Sequence, residues 1–549
     1  MFWNISADKK DWVNKQISGM TLDEKIGQIV SERNSDFMQV SDRREWLRKY
    51  PVGSMFVGTE IINADEESQD SVKDCIAALR NTCRIPVLLC GDFEHGIGCQ
   101  VSGFTRLPDL MALGATQNHD LAYEYGRVIA EEARSLGIRW GLGPVADLNT
   151  NHMNPVTNTR SLTDNPDYCI KMLSALIRGM QENGMAACTK HFPGDGTDTR
   201  NQHVVTSLNM LSKTDWDKLH GKVFKGLIDA GTASIMIGHM GFPDFEAIDA
   251  SKQKFRPATA SKKIMTDLLR NELGFKGIIL TDALCMNGFV SWGDYEDRML
   301  ASFNGGTDIF LWPETPRFFE LMKAALKDGR ASMERLEESV YRVMSFKAWL
   351  GLDQQDAKKY ELTATDRDAN GRIAVEVAKK SLTLLRNRSC DIPLNLPADA
   401  EVLMLYTPEN DRIPKQPLKY FAAEFESRGI KTKVVPFSQL NKEENIEKYA
   451  SVFLICLCRP MYVDYTIFNN YNLWGFMTHA TIRKRVFISF GTPYFLYEVA
   501  EADTYLNVYS DSEISQQAAA KALFGEIPFK GKSPVGINHC FKFGDGLDI

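Results

Sequence analysis

Between about residue 50 and residue 350 the chain repeats one pattern, a short apolar run followed by a longer amphipathic stretch. The runs are Ser54–Gly58, Val87–Asp92, Trp140–Asp147, Ala186–Phe192, Ser234–His239, Gly277–Asp282 and Asp308–Trp312. They are apolar nearly throughout, as strands buried on both faces must be. Leu121–Leu136 and Asp164–Asn183, between them, carry helical spacing. Such alternation builds βαβ units and a parallel sheet. Seven or eight units in roughly 300 residues suit a closed (β/α)8 barrel. An open doubly wound sheet is the alternative.

Residues 351–370 are polar, lack an apolar stripe and read as a linker. Beyond them, Val402–Tyr406, Thr432–Phe437, Ser451–Leu457, Arg485–Phe490 and Tyr505–Tyr509 are again strand-like. Helical patterns such as Leu418–Arg428 and Ser515–Leu523 separate some of them. The expected organisation is a barrel over 1–350, a linker over 351–370, and an α/β sandwich with a mostly parallel sheet over 371–549.

Composition excludes several classes. With 44% hydrophobic and 25% charged residues, the chain is no collagen, coiled-coil rod or disordered polymer. Net charge is −7 without a basic tract, which argues against a nucleic-acid partner. No apolar run reaches the ~18 residues of a membrane helix. The first residues show no basic segment followed by an apolar one, so no secretion signal is expected. The eleven cysteines include no pair at zinc spacing. These features point to reduced thiols in a cytoplasmic protein with no metal or cofactor.

Polar residues gather at the C-terminal ends of the runs: Asp92, Asp147, Lys190 with His191, His239 and Asp282. One such residue is ordinarily a turn or a helix cap. Five strand ends together match the rim where a barrel builds its active site. The densest segment is 190–203, KHFPGDGTDTRNQH, where Lys190, His191, Asp195 and His203 fall in one Pro- and Gly-broken loop.

These segments resemble glycoside hydrolase family 3. The resemblance rests on GDFEHG (91–96), NTRSL (158–162), KHFPGDG (190–196), IGHMGFP (237–243), PATAS (257–261) and GFKGIILTDALCM (274–286). MTLDEKIGQ (20–28) is similar to the family's N-terminal helix. SLTLLRN (381–387), SFGTPY (489–494) and ALFGEIPFKGKSPVG (522–536) are similar to its two-domain members. The resemblance implies a retaining exo-β-glycosidase with Asp282 as nucleophile. It implies Asp92, Arg160, Lys190 and His191 as sugar ligands, with Asp195 and His239 as further candidates. A carboxylate can attack the anomeric carbon, and charged groups can fork onto vicinal hydroxyls.

The family divides by its acid/base. One branch uses a Glu of the second domain, yet between Glu447 and Glu498 this chain has only Asp464. The N-acetylglucosaminidase-like branch uses the His of an Asp-Ser-His triplet, which here falls on Asn201, Gln202 and His203. His203 is therefore the expected acid/base. Asn201 fixes its tautomer without adding charge, which makes His203 a weaker base than a carboxylate-paired one. Asp195 stands where that branch has a His, which favours glucosides with tolerance of N-acetylglucosaminides.

A neutral base also bears on the acceptor. Two like charges ~4 Å apart cost about 4 kcal/mol at an effective dielectric of ~20. Phosphate escapes that penalty beside an imidazole and needs no base to deprotonate it. The expected function is thus a β-glucoside phosphorylase, with Arg200 as a candidate phosphate contact. The alternatives are a hydrolytic β-glucosidase, a cytoplasmic β-N-acetylglucosaminidase, and a catalytically silent carbohydrate-binding protein. The partners implied are small β-glycosides and phosphate. The aromatic stretch Met461–Trp474 is a candidate aglycone wall or a core segment. No pattern bears on oligomeric state.

Overall fold

The computed structural model describes residues 3–33, 40–57, 82–354, 360–407, 413–440, 445–459 and 485–549. The chain divides into two compact units. The first comprises Met1–Thr105, Ala122–Asn151 and Pro166–Asp368. The second comprises Arg106–Leu121, His152–Asn165 and Ala369–Ile549.

The first unit is an eight-stranded parallel barrel. Its strands are β1 Val30–Arg33, β2 Ser54–Phe56, β3 Leu88–Gly91, β4 Trp140–Gly141, β5 Ala186–Phe192, β6 Ser234–Ile237, β7 Ile278–Thr281 and β8 Phe310–Leu311. They pair in chain order, and β8 pairs with β1 through Val30–Phe310 and Ser31–Leu311. The circle closes between β7 and β8 through the single bridge Leu280–Ile309. Every residue of β2 to β8 is buried, which explains their apolar sequences. The first strand was not legible as an apolar run. Its sequence VSER has three polar residues of four and begins one residue after the helix Leu22–Gln28.

That helix starts where the sequence dictates. Thr21 and Glu24 form a reciprocal capping box, each side chain bonding the other's backbone N–H. The helices around the barrel pack closely where glycines permit. A Cβ on Gly126 would lie 2.2 Å from the Leu176 carbonyl oxygen, and one on Gly179 would lie 2.1 Å from that of Tyr123. Each helix thus presents a bare backbone patch to the other.

The barrel's closing seam is stapled by buried charge. Asp308, which precedes β8, is fully buried. Its Oδ2 accepts from the Arg270 guanidinium and from Ile279 N at 3.0 Å. Its Oδ1 accepts from Ser339 Oγ at 2.9 Å and Arg342 at 3.1 Å, with Arg335 3.7 Å away. Arg270 also donates to the carbonyl of Gly277, just before β7. The three guanidinium groups hold the Asp308 carboxyl below its ordinary range although burial acts the other way.

The second unit holds a six-stranded sheet built from β9 Thr383–Asn387, β10 Glu401–Thr407, β11 Lys431–Pro436, β12 Ser451–Cys456, β13 Arg485–Ser489 and β14 Thr504–Asn507. The order is β9-β14-β13-β12-β10-β11, parallel except for β9, an antiparallel edge. Phe421, Phe425, Phe453 and Phe490 fill the core on one face. The expected linker differs from the structure in its second half. A helix begins at Ala364 and runs to Ser381, capped by reciprocal bonds between Thr363 and Asp366. Its buried stripe is Asn370, Ala374, Val377, Ala378 and Ser381, too small and polar to register as apolar. Residues 106–121 and 152–165, expected in the barrel, group with the second unit instead. Residues 461–474 and Asp464 lie outside the described residues.

Among the described residues no helix is long and apolar enough to cross a membrane.

Candidate active site

The rim at the C-terminal ends of β3, β5, β6 and β7 brings most of the expected residues together. Lys190, near the end of β5, is 2% exposed and would be costly to bury alone. Its ammonium is paired twice, with Asp92 at 2.7 Å and Glu94 at 2.7 Å. Glu94 was not among the expected site residues, although it stands two residues beyond Asp92.

His191 is clamped by Asp147. The carboxylate accepts from the ring Nδ1 at 2.7 Å and from the His191 backbone N–H at 3.1 Å. It also accepts from Asp195 N at 2.7 Å, so one buried carboxylate holds both ends of the loop. Burial opposes charge on both groups, but each favours the ionised form of the other. Asp147 is held below the usual carboxylate range and His191 is raised above the ordinary imidazole value. The His191 Nε2 lies 3.9 Å from Asp282 Oδ2. That gap exceeds a hydrogen bond and leaves the nitrogen available to a hydroxyl.

Asp282 follows β7, and its Oδ1 accepts from Ala283 N at 2.7 Å. Burial works against its ionisation. The neighbouring His191, with the bond from Ala283 N, outweighs that, and its carboxyl is held below the usual range. It is thus a carboxylate at neutral pH, as a nucleophile must be. An isosteric His191→Asn change removes the neighbouring imidazole. The Asp282 carboxyl then titrates higher, and the acid limb of the kcat/KM profile moves to higher pH. A limb that stays put or moves down would show that His191 does not set the ionisation of Asp282.

The acid/base candidate is held by the amide anticipated from the sequence. Asn201 Oδ1 accepts from His203 Nδ1 at 2.7 Å and from His203 N at 3.0 Å. An amide oxygen only accepts, so Nδ1 carries the proton and Nε2 is the working nitrogen. The loop is pinned to the segment after the nucleophile. Asn287 N donates to His203 O at 3.0 Å, and Gly288 N donates to Gln202 O at 3.1 Å. A Cβ on Gly288 would lie 2.4 Å from that Gln202 oxygen, so only glycine fits there. Asp282 and His203 are thereby fixed to one piece of backbone.

Three expected contacts are bonded to the protein itself. His239 is fully buried, with Nε2 on the carbonyl of Ala283 at 2.9 Å and Nδ1 on Thr259 Oγ1 at 2.8 Å. Its ring stacks on Phe289, and burial lowers its tendency to protonate. Both nitrogens are spent on protein, so it braces the chain behind Asp282 and offers nothing to a sugar hydroxyl. Asp195 is 2% exposed and turns its Oδ1 onto Gly196 N at 2.7 Å, shaping the loop. Arg200 folds back on Asp198, with Nε contacts of 3.1 and 2.9 Å and a third bond of 2.8 Å. Its side chain is half exposed, and the pair holds the guanidinium against the loop's own acid. Arg160 lies in the second unit. It ends the short turn Asn158–Arg160 and donates to Val156 O at 3.2 Å.

Residues 21–346 match the Glycosyl hydrolase family 3 N terminal domain. The chain belongs to glycosyl hydrolase family 3. Among similar proteins is the beta-N-acetylglucosaminidase/beta-glucosidase of Cellulomonas fimi, 28% identical over 97% of both chains. Beta-hexosaminidase A of Pseudoalteromonas piscicida is 31% identical over 67% of this chain and 64% of its own. Among solved structures, the beta-glucoside phosphorylase BglX bound to 2FGlc superposes with a TM-score of 0.86 at 24% identity, covering 97% of each chain. A family 3 beta-N-acetylglucosaminidase from Paenibacillus sp. str. FPU-7 superposes at 0.82, with 24% identity over 94% of this chain and 99% of that one. At those identities the two structures speak for the fold, a barrel followed by an α/β sandwich. Within that family 3 frame, Glu94 and Gly288 are the site residues that sequence reasoning passed over, while Asp147 and Gln202 were seen without a role. Asp147 was visible as a strand end, but its partner emerges only from the β4–β5 pairing that sets Val145 beside Lys190.

Proposed function

We propose that this family 3 enzyme is a retaining β-glycosidase that acts on glucosides, tolerates N-acetylglucosaminides and passes the sugar to phosphate. Asp282 attacks the anomeric carbon and the glycosidic C–O bond breaks. His203 Nε2 delivers its proton to the departing oxygen. The acceptor oxygen then attacks the same carbon and displaces the Asp282 carboxylate, so configuration is retained. Asp92, Lys190 and His191 take the sugar hydroxyls.

The observation that carries the phosphate step is the neutral pair Asn201–His203. Once Asp282 is esterified and His203 has given up its proton, neither group repels an anionic acceptor. A carboxylate base at that place would cost about 4 kcal/mol against one negative charge ~4 Å away at an effective dielectric of ~20. A weak base also handicaps water more than phosphate, which arrives as an oxyanion. The support comes from His203 and its amide. The dual name of the Cellulomonas fimi relative agrees with a site that takes both sugars. A cytoplasmic setting suits the reading, because a charged sugar phosphate is retained behind a membrane.

Transfer to water is the second reading, favoured by the hexosaminidase name of the Pseudoalteromonas relative. Turnover of an aryl β-glucoside with and without phosphate, with the product identified by NMR, separates the two. Acceleration by phosphate and a glucosyl phosphate of retained configuration are expected. Free glucose at a rate indifferent to phosphate overturns the phosphate step.

His203→Ala should slow alkyl glucosides by roughly 10²- to 10⁴-fold. Aryl glucosides with strongly acidic leaving groups should lose far less in the first step, because they depart without a proton. Equal losses across a leaving-group series would remove His203 as the acid.

A further inference from the structure

The backbone that fixes His203 to the nucleophile's segment also carries three exposed valines. Val204 and Val205 follow His203 and are 48% and 38% exposed. Val290, on the short helix Asn287–Val290 after Asp282, is 38% exposed. Single exposed valines are ordinary on any surface. These three lie on the two segments that carry the acid/base and the nucleophile, and those segments are bonded together. Asn287 Nδ2 donates to Val204 O at 2.6 Å, and Thr206 Oγ1 donates to Gly288 O at 2.8 Å. A Cβ on Gly288 would also lie 2.9 Å from Val205 O.

An acid must touch the glycosidic oxygen, and the aglycone continues outward from that oxygen. The exposed side chains beside His203 therefore border the aglycone. Residues 204–206 read VVT and 283–291 read ALCMNGFVS, with no charged side chain of their own. The cation that reaches the end of this stretch, Lys254, is bonded to the Ser291 carbonyl at 2.5 Å. Cys285 is exposed on the same stretch, and its thiol feels the charges of Arg33 and Asp282. The amide nitrogen of Asn287 is committed to Val204. A second sugar would bring several hydroxyls to this surface and find few partners.

We infer that Val204, Val205 and Val290 form an aglycone subsite for alkyl or aryl groups, so that the substrates are β-glucosides of apolar alcohols rather than oligosaccharides. The inference rests on His203 being the acid of the proposed glycosidase.

The test compares kcat/KM for octyl β-glucoside, methyl β-glucoside, cellobiose and β-glucosyl fluoride, in the wild type and in the double variant Val204→Ser, Val290→Ser. Octyl glucoside should be the best of the three glycosides in the wild type. Its advantage over methyl glucoside should fall roughly tenfold in the variant. Glucosyl fluoride has no aglycone, and its turnover reports a folded and chemically competent protein. An octyl-to-methyl ratio near one in the wild type, a ratio unchanged by the substitutions, or a preference for cellobiose overturns the subsite while fluoride turnover upholds the glycosidase. A wild type that leaves glucosyl fluoride untouched overturns both.

Discussion

Asp282→Asn should abolish turnover of every glycoside, by roughly 10⁴-fold or more in kcat. The substitution keeps the size of the side chain and the bond from Ala283 N, which the amide oxygen can still accept. What it removes is the nucleophilic oxygen, so no covalent glycosyl-enzyme forms. Aryl glucosides do not escape, because an activated leaving group replaces the acid and not the nucleophile. Mass spectrometry gives an independent readout. A 2-fluoro glucosyl fluoride should add one sugar to the peptide containing Asp282 in the wild type, and to no peptide in the variant. Activity within tenfold of wild type, or a label on another carboxylate, would place the nucleophile elsewhere.

The second large effect lies in stability. Asp308→Asn should destabilise the barrel unit by about 3–5 kcal/mol, the usual cost of leaving a buried partner charge uncompensated. Three arginines converge on this side chain. Burial already pulls the Arg270 guanidinium down to about 10 with Asp308 in place. The asparagine preserves shape and loses the charge. The deficit should show as an earlier first transition in urea or heat, with the second unit's transition little moved. It should also depend on pH in a defined direction. The folded-state carboxyl of Asp308 titrates below its ordinary value of 3.8. Its stabilisation is fully present above that value and fades as pH falls through the lower, folded one. Wild type and variant should converge only in acid. A difference that persists unchanged at low pH would assign the effect to packing.

The architecture was legible where chemistry and periodicity coincide. Apolar runs ending in Asp92, Lys190, His191 and Asp282 marked both the strands and the rim, because a buried parallel strand tolerates polar residues only where it emerges. The strand VSER escaped because it has too few apolar residues to form a run. The roles of Asp147 and Gln202 escaped for another reason. Their roles are to hold His191 and to receive Gly288, and those partners are set by register and loop packing across long sequence separations. The pairing of Arg200 with Asp198, two residues upstream, was not legible, because in sequence Asp198 is indistinguishable from a solvated loop acid. His239 looked like a ligand, and only its partners, Thr259 and a carbonyl, reveal a brace.

The second unit is made from three separate stretches of chain, and this bears on how the protein must be synthesised. Asn158 bonds Thr492 at 3.1 Å, Thr163 bonds the carbonyl of Pro534 at 2.5 Å, and Arg459 pairs with Asp109 at 2.7 Å. Residues 106–121 and 152–165 leave the ribosome some two hundred residues of barrel before those partners exist. The second unit can therefore not be completed until its C-terminal stretch is made. A nascent chain stalled near residue 370 should be protease-sensitive at both stretches, and release of the last residues should protect them together.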